Sequence, residues 1–118
     1  MSTRETMDRF FDALTRRSGW ETFLADDVTF TSFTSPVKRV PGRTGTVQAV
    51  SRFYSIADRM ELRQLLVDGD WACALTRYHV VPANGASAFD SDVAELFTVR
   101  DGRITDFAIY FDTAPYPR

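Results

Sequence analysis

Cysteine occurs once in the 118 residues, at Cys73, so no disulfide can close within the chain and nothing suggests a small cross-linked scaffold. Histidine also occurs once, at His79. One histidine and one cysteine leave no zinc constellation. The acidic pairs Asp26-Asp27, Asp68 with Asp70 and Asp90 with Asp92 lack the spacing of a calcium loop, and no metal is expected. Lysine is nearly absent: all but Lys38 of the 14 basic residues are arginine, against 16 acidic ones, for a net charge of −2. That balance sets up no field for a polyanion, and no basic stripe interleaves with aromatics, which argues against a nucleic-acid partner. No apolar run approaches the ~20 residues that span a bilayer, and the polar N-terminus carries no apolar signal core. The expectation is a cytoplasmic protein that makes no membrane contact. Gly42 and Gly45 lack the spacing of a phosphate-cradling loop, Ser32 lies in no nucleophile elbow, and no cofactor is expected.

What the chain has in plenty is phenylalanine, ten residues within an otherwise ordinary 44% hydrophobic and 25% charged composition. The length suits one domain over residues 1–118, which buries roughly two thirds of its unfolded surface. In so small a body, ten phenylalanines have three hiding places: a core, the wall of a ligand cavity, or a subunit interface.

Periodicity gives the elements. Ser2 with Glu5 fits a capping box, and Met7, Phe10, Phe11 and Leu14 follow at helical spacing until Ser18-Gly19. A short second helix carries Trp20, Phe23 and Leu24, and a strand is predicted over 28–33. Residues 34–45, with Pro36, Pro41, Gly42 and Gly45, read as an exposed loop that could serve as a lid. A helix over 46–58 then places Val50, Phe53, Tyr54 and Ala57 on one side. Strands over 62–67 and 71–81 are joined at Asp68-Gly69-Asp70, and Pro82 to Gly85 lead to a last hairpin over 90–112. The hairpin turns at Asp101-Gly102, because a tight primed turn needs positive φ that glycine adopts cheaply. Before this turn Val93, Glu95, Phe97 and Val99 share one face; after it Phe107, Ile109 and Phe111 do. A carboxylate among large apolar residues is costly to bury without a partner, so Glu95 marks a candidate site. The element order predicts an α+β fold with antiparallel strands.

Three stretches in this order resemble the NTF2-like superfamily: Phe-Leu-Ala-Asp-Asp-Val-Thr-Phe at 23–30, Gly45-Thr46 opening a helix that closes on Arg52-Phe53-Tyr54, and Glu-Leu-Phe-Thr-Val-Arg-Asp-Gly-Arg-Ile at 95–104. The superfamily includes ketosteroid isomerases, limonene-epoxide hydrolases, scytalone dehydratase and SnoaL-like polyketide cyclases. The resemblance implies a cone, helices packed on a curved antiparallel sheet, around a pocket for a small hydrophobic or polyketide-like molecule. Phe10, Phe30, Ser32, Tyr54, Phe97, Phe107, Ile109 and Phe111 are its implied ligand-binding residues. It also implies a homodimer through the outer face of the sheet, with Ala94, Leu96, Ala108 and Tyr110 in the contact.

Set against the ketosteroid isomerases, Ser32 stands where their general-base aspartate sits and Phe10 where a tyrosine donates to the oxyanion, which makes that mechanism a poor fit. Tyr54 and Glu95 keep polarity at two further positions of the same site, and a protonated Glu95 can donate a hydrogen bond. The alignment turns Trp71, Cys73, Leu75, Arg77, His79 and Val81 toward the interior. Arg77 with His79 then resembles the Arg-x-Asp arrangement of the epoxide hydrolases, with histidine in place of aspartate. The catalytic candidates are therefore His79 as acid or base, Glu95 to orient or balance it, and Arg77 to bind an anionic oxygen. Three functions stay open. The first is a cofactor-independent acid–base enzyme of isomerase, cyclase, dehydratase or epoxide-hydrolase type; the others are a ligand-binding protein without chemistry and a dimerisation module. A binding role would use the same three residues; in a purely structural role Arg77 and Glu95 would form an ion pair with His79 half exposed.

Overall fold

The computed structural model describes residues 1–35 and 39–116. Helix α1 spans Thr3–Thr15 and begins as its sequence requires. The Glu5 amide donates to Ser2 Oγ at 3.1 Å and the Ser2 amide to Glu5 Oε1 at 3.3 Å, so two of the unpaired first-turn donors are satisfied reciprocally. Its stripe of Met7, Phe10, Phe11 and Leu14 is buried. The predicted second helix is only a 3-10 turn, Trp20–Phe23, which leads into strand β1, Leu24–Ser32.

Within the stretch read as a loop, Arg39–Pro41 forms a short strand β2 paired antiparallel to β1; the residues between 35 and 39 lie outside those described, and a lid is not assigned there. Helix α2, Arg43–Ile56, follows at once. Gly45 permits this tight connection, since a Cβ there would stand 2.7 Å from Val40 Cγ1. Strands β3 (Ala57–Asp68), β4 (Trp71–Val80), β5 (Phe89–Arg100) and β6 (Arg103–Phe111) then run as an antiparallel meander. The last turn has positive φ at both central residues, Asp101 at 52° and Gly102 at 74°, as a two-residue primed turn demands.

The fold is α+β: two helices packed on one face of a six-stranded, curved, unclosed sheet in the order β2-β1-β6-β5-β4-β3. Among the described residues every pairing is antiparallel, as expected of the sheet, except that β1 runs parallel to β6. The exception follows from chain path: β1 precedes α2 and the meander, and the last strand of the meander returns beside it in the same direction. Register shifts within the β3–β4 and β5–β6 ladders are bulges, which bend strands and curve the sheet around the helices.

The main core lies between α1 and the sheet. Phe10, fully buried, meets Phe97 and Phe107 edge-on at 5.7 and 6.3 Å, and Phe97 meets Phe107 at 4.6 Å. Burying one such ring stabilises the fold by about 1.5–3 kcal/mol. The opposite face of the sheet carries the exposed apolar side chains Leu66, Trp71, Leu75, Leu96 and Tyr110, the last stacked on Phe33 at 4.6 Å.

Candidate functional site

Strand β4 decides where the site lies. Its buried residues are Ala72, Ala74, Thr76, Tyr78 and Val80, the even positions, so the row holding Arg77 and His79 faces outward, contrary to the alignment. The reason is size. The apolar face of α1 needs room, and the small Ala72 and Ala74 join its core cluster while Trp71 and Leu75 go to the outer face. Arg77 pairs with Asp92 across the strands, Nε to Oδ1 at 2.8 Å and Nη2 to Oδ2 at 3.0 Å. His79 Nδ1 lies 3.1 Å from Asp90 Oδ1. These are surface pairs. Neither Arg77 nor His79 meets Glu95, and the expected Arg77–Glu95 contact does not form.

Glu95 itself is buried, with 2% of its surface exposed, on the inward row of β5 opposite Ala74. The Thr76 hydroxyl donates to its Oε2 at 2.6 Å and the Tyr78 hydroxyl to the same oxygen at 2.9 Å. Burial pushes the carboxyl up from 4.5 to about 7, and the two hydroxyls, which favour the anion, only partly oppose that. With both donors on Oε2, Oε1 is the oxygen left to carry the proton.

Tyr54 adds a second polar group. It sits near the end of α2, where its carbonyl accepts from the Ala57 amide and from Arg17 Nη1 at 2.8 Å, while Arg17 Nη2 donates to the Ala57 carbonyl. The ring packs edge-on against Trp20 at 5.5 Å and lies nearly parallel to Tyr78 at 6.2 Å. Its hydroxyl is buried and makes no hydrogen bond of ordinary geometry among the described residues, the Tyr78 hydroxyl being near enough only to hold its pKa down in part. Burial first, and then the charge of Glu95, raise its pKa well above 10, so it remains a phenol and a donor. A buried donor left unpaired costs about 1–3 kcal/mol, a cost that a ligand oxygen would remove.

Glu95, Tyr54 and Tyr78 line a cavity of about 260 Å³, together with Phe30, Ser32, Val50, Phe107, Ile109, Phe111 and Tyr116. Its walls are mainly apolar. Ser32 is buried and accepts a hydrogen bond from the Ser35 hydroxyl at 2.6 Å. Phe10 and Phe97, expected in the lining, belong instead to the core beneath it, where the α1 packing places them. Tyr78, Thr76 and Tyr116 were not among the candidates. Tyr78 and Thr76 had a legible signal, since once Glu95 is taken as inward, a polar residue on the facing strand is its natural partner. Tyr116 had none: it follows the last strand, and its hydroxyl reaches Ser91 Oγ at 2.7 Å only through the folded tail.

Arg77, His79 and Asp90 border a different and larger depression of about 680 Å³, shared with Arg17, Asp58 and Arg59. Tyr54 and Tyr78 separate the two spaces. Charges of both signs along its walls make this depression a poor container for an apolar molecule. Among the described residues no three His, Cys, Asp or Glu side chains converge to hold a metal, and no helix is long and apolar enough to cross a membrane.

The backbone arrangement has many counterparts among solved structures. An NTF2-like protein from Burkholderia thailandensis superposes with a TM-score of 0.84 at 19% identity, covering 96% of this chain and 92% of that one. A proposed SnoaL-like polyketide cyclase from Mesorhizobium loti gives 0.74 at 21% identity, over 93% and 99%. TerC, co-crystallised with polyporic acid, gives 0.78 at 19% identity, over 97% and 94%. At these identities the likeness establishes the NTF2-like fold and nothing finer. No curated protein matches the sequence. The SnoaL-like domain family does, over residues 7–107, and the chain belongs to that family.

Proposed function

We propose that the protein is a cofactor-independent acid–base enzyme of the isomerase or cyclase type, acting on a small apolar substrate that carries a carbonyl or enol oxygen. The observation that carries this reading is Glu95, a carboxyl inside an apolar cavity with a pKa near 7. A group held at that value is populated in both forms near neutrality, so it can take a proton from one atom of a substrate and return it to another. The Tyr54 hydroxyl would hold the substrate oxygen, the unpaired donor gaining its partner as negative charge develops there. Thr76 and Tyr78 position Glu95. SnoaL-like and NTF2-like neighbours that include a proposed polyketide cyclase and a complex with polyporic acid are consistent with such a substrate class.

The test is Glu95→Gln, which keeps shape and can still accept from both hydroxyls through the amide oxygen. With a turned-over substrate in hand, activity should fall on the order of 10²–10⁴-fold while the substrate still binds. Full activity in the variant would end the proposal. A second reading, binding without turnover, rests on Glu95 being the only Brønsted acid with a pKa near neutrality among the described lining residues. It predicts a stable complex that never yields product in either form. We also propose a homodimer through the outer sheet face, on the exposed Leu75, Leu96 and Tyr110.

A further inference from the structure

The cavity has a polar axis that the acid–base reading does not use. Among its described lining residues Arg52 is the single cation and Glu95 the single carboxyl group. The two differ in depth. Glu95 is buried, whereas Arg52 is exposed, on α2 three residues after Ala49, another lining residue, and therefore on the same side of the helix at the rim. Between them the wall is apolar: Val50, Phe107, Ile109 and Phe111. No carboxylate lies within ion-pair distance of Arg52 among the described residues, a condition it shares with several other surface arginines, but of these it alone borders the cavity. When Glu95 holds its proton, the described lining residues leave one uncompensated positive charge at the cavity mouth.

An uncompensated guanidinium beside low-dielectric walls attracts an anion and presents a planar fork to it, while an apolar body avoids both. At about 260 Å³ the space is below the usual 300–1,000 Å³ of ligand pockets, which restricts the occupant to a compact ring system. Resting on the proposed cavity function, we infer that Arg52 is a specificity-determining residue, selecting small aromatic or alicyclic acids whose anionic group stays at the rim and whose distal carbonyl or enol oxygen reaches Tyr54 and Glu95.

The probes are 4-acetylbenzoate, which has a carboxylate at one end and a ketone at the other, and its neutral isostere 4-acetylbenzamide, titrated calorimetrically at pH 6. The expected result is binding of the benzoate about two- to fivefold tighter than the amide, a gap that narrows with added salt. In Arg52→Gln the two affinities should converge, and in Arg52→Lys part of the gap should remain. Equal affinities in the native protein, or an anion preference that survives in Arg52→Gln, would overturn the inference. In either case, weakening of amide binding by Glu95→Gln would show that the cavity reading itself still stands. If neither probe binds, both fall together.

Discussion

The pH dependence of stability offers a quantitative test of Glu95 that needs no substrate. In the unfolded chain its carboxyl titrates near 4.5; in the fold, burial moves it to about 7. Below pH 4.5 both states are protonated and the difference between them vanishes. Between pH 4.5 and about 7 the folded protein keeps a proton that the unfolded chain has released, so stability falls as pH rises, by about 1.4 kcal/mol per unit. Above 7 the fold holds a buried carboxylate and the loss levels off at about 3 kcal/mol. Thr76 and Tyr78 soften the loss but do not abolish it, since their hydroxyls already act within that value. Other groups behave oppositely. Asp92 is held low chiefly by its hydrogen bond to Arg77, and the stability it contributes is present above its unfolded pKa and is lost as pH falls. The difference between the native protein and Glu95→Gln isolates the one group, because glutamine does not titrate. Urea unfolding at half-unit steps from pH 4.5 to 8 should show that difference shrinking by about 3 kcal/mol, with its upper bend near 7. A difference that stays flat, or that grows with pH, would mean that Glu95 is solvated or paired with a cation, and the acid–base proposal would lose its basis.

Two other perturbations separate site from scaffold. Tyr54→Phe removes a buried hydroxyl that has no partner, so thermal or urea unfolding should show a protein as stable as the original or more stable by about 1 kcal/mol, while affinity for a ketone ligand drops. A loss of several kcal/mol would mean that the hydroxyl is satisfied in solution. Leu96→Arg places a charge in the middle of the outer apolar face; sedimentation should show a dimer becoming a monomer with an unchanged circular dichroism spectrum. A native protein that sediments as a monomer would refute the proposed dimer.

The sequence reveals those parts of this architecture that local chemistry controls. The capping box at Ser2 and Glu5, the stripe of α1 and the Asp101-Gly102 turn are set by residues a few positions apart, and each forms as its pattern predicts. Glu95 was legible for the same reason, as a charge out of place on an apolar face. The facing of β4 was not. Either parity of that strand offers apolar residues, and the choice depends on a helix nearly sixty residues upstream that needs alanines beneath it. That parity alone exchanged Thr76 and Tyr78 for Arg77 and His79 as neighbours of the cavity. Tyr116 escaped notice because its place depends on the path of the tail, and Arg52 because a rim exists only once the cavity has walls.

The parallel pairing of β1 with β6 also governs how the molecule comes into being. Strands β3 to β6 are joined by short connections and can zip in succession, whereas β1, whose local partner is only the short β2, must wait for the last strand before it can join the meander. Until then β6 is an open edge with Phe107 uncovered, a species able to recruit a neighbouring chain instead. Phe30 and Ser32, which β1 brings to the cavity, arrive in that final step. The meander can therefore assemble before there is anywhere for a ligand to go, and a small molecule that fits the finished cavity would act on refolding as a trap for the completed state, slowing its opening more than it hastens its formation.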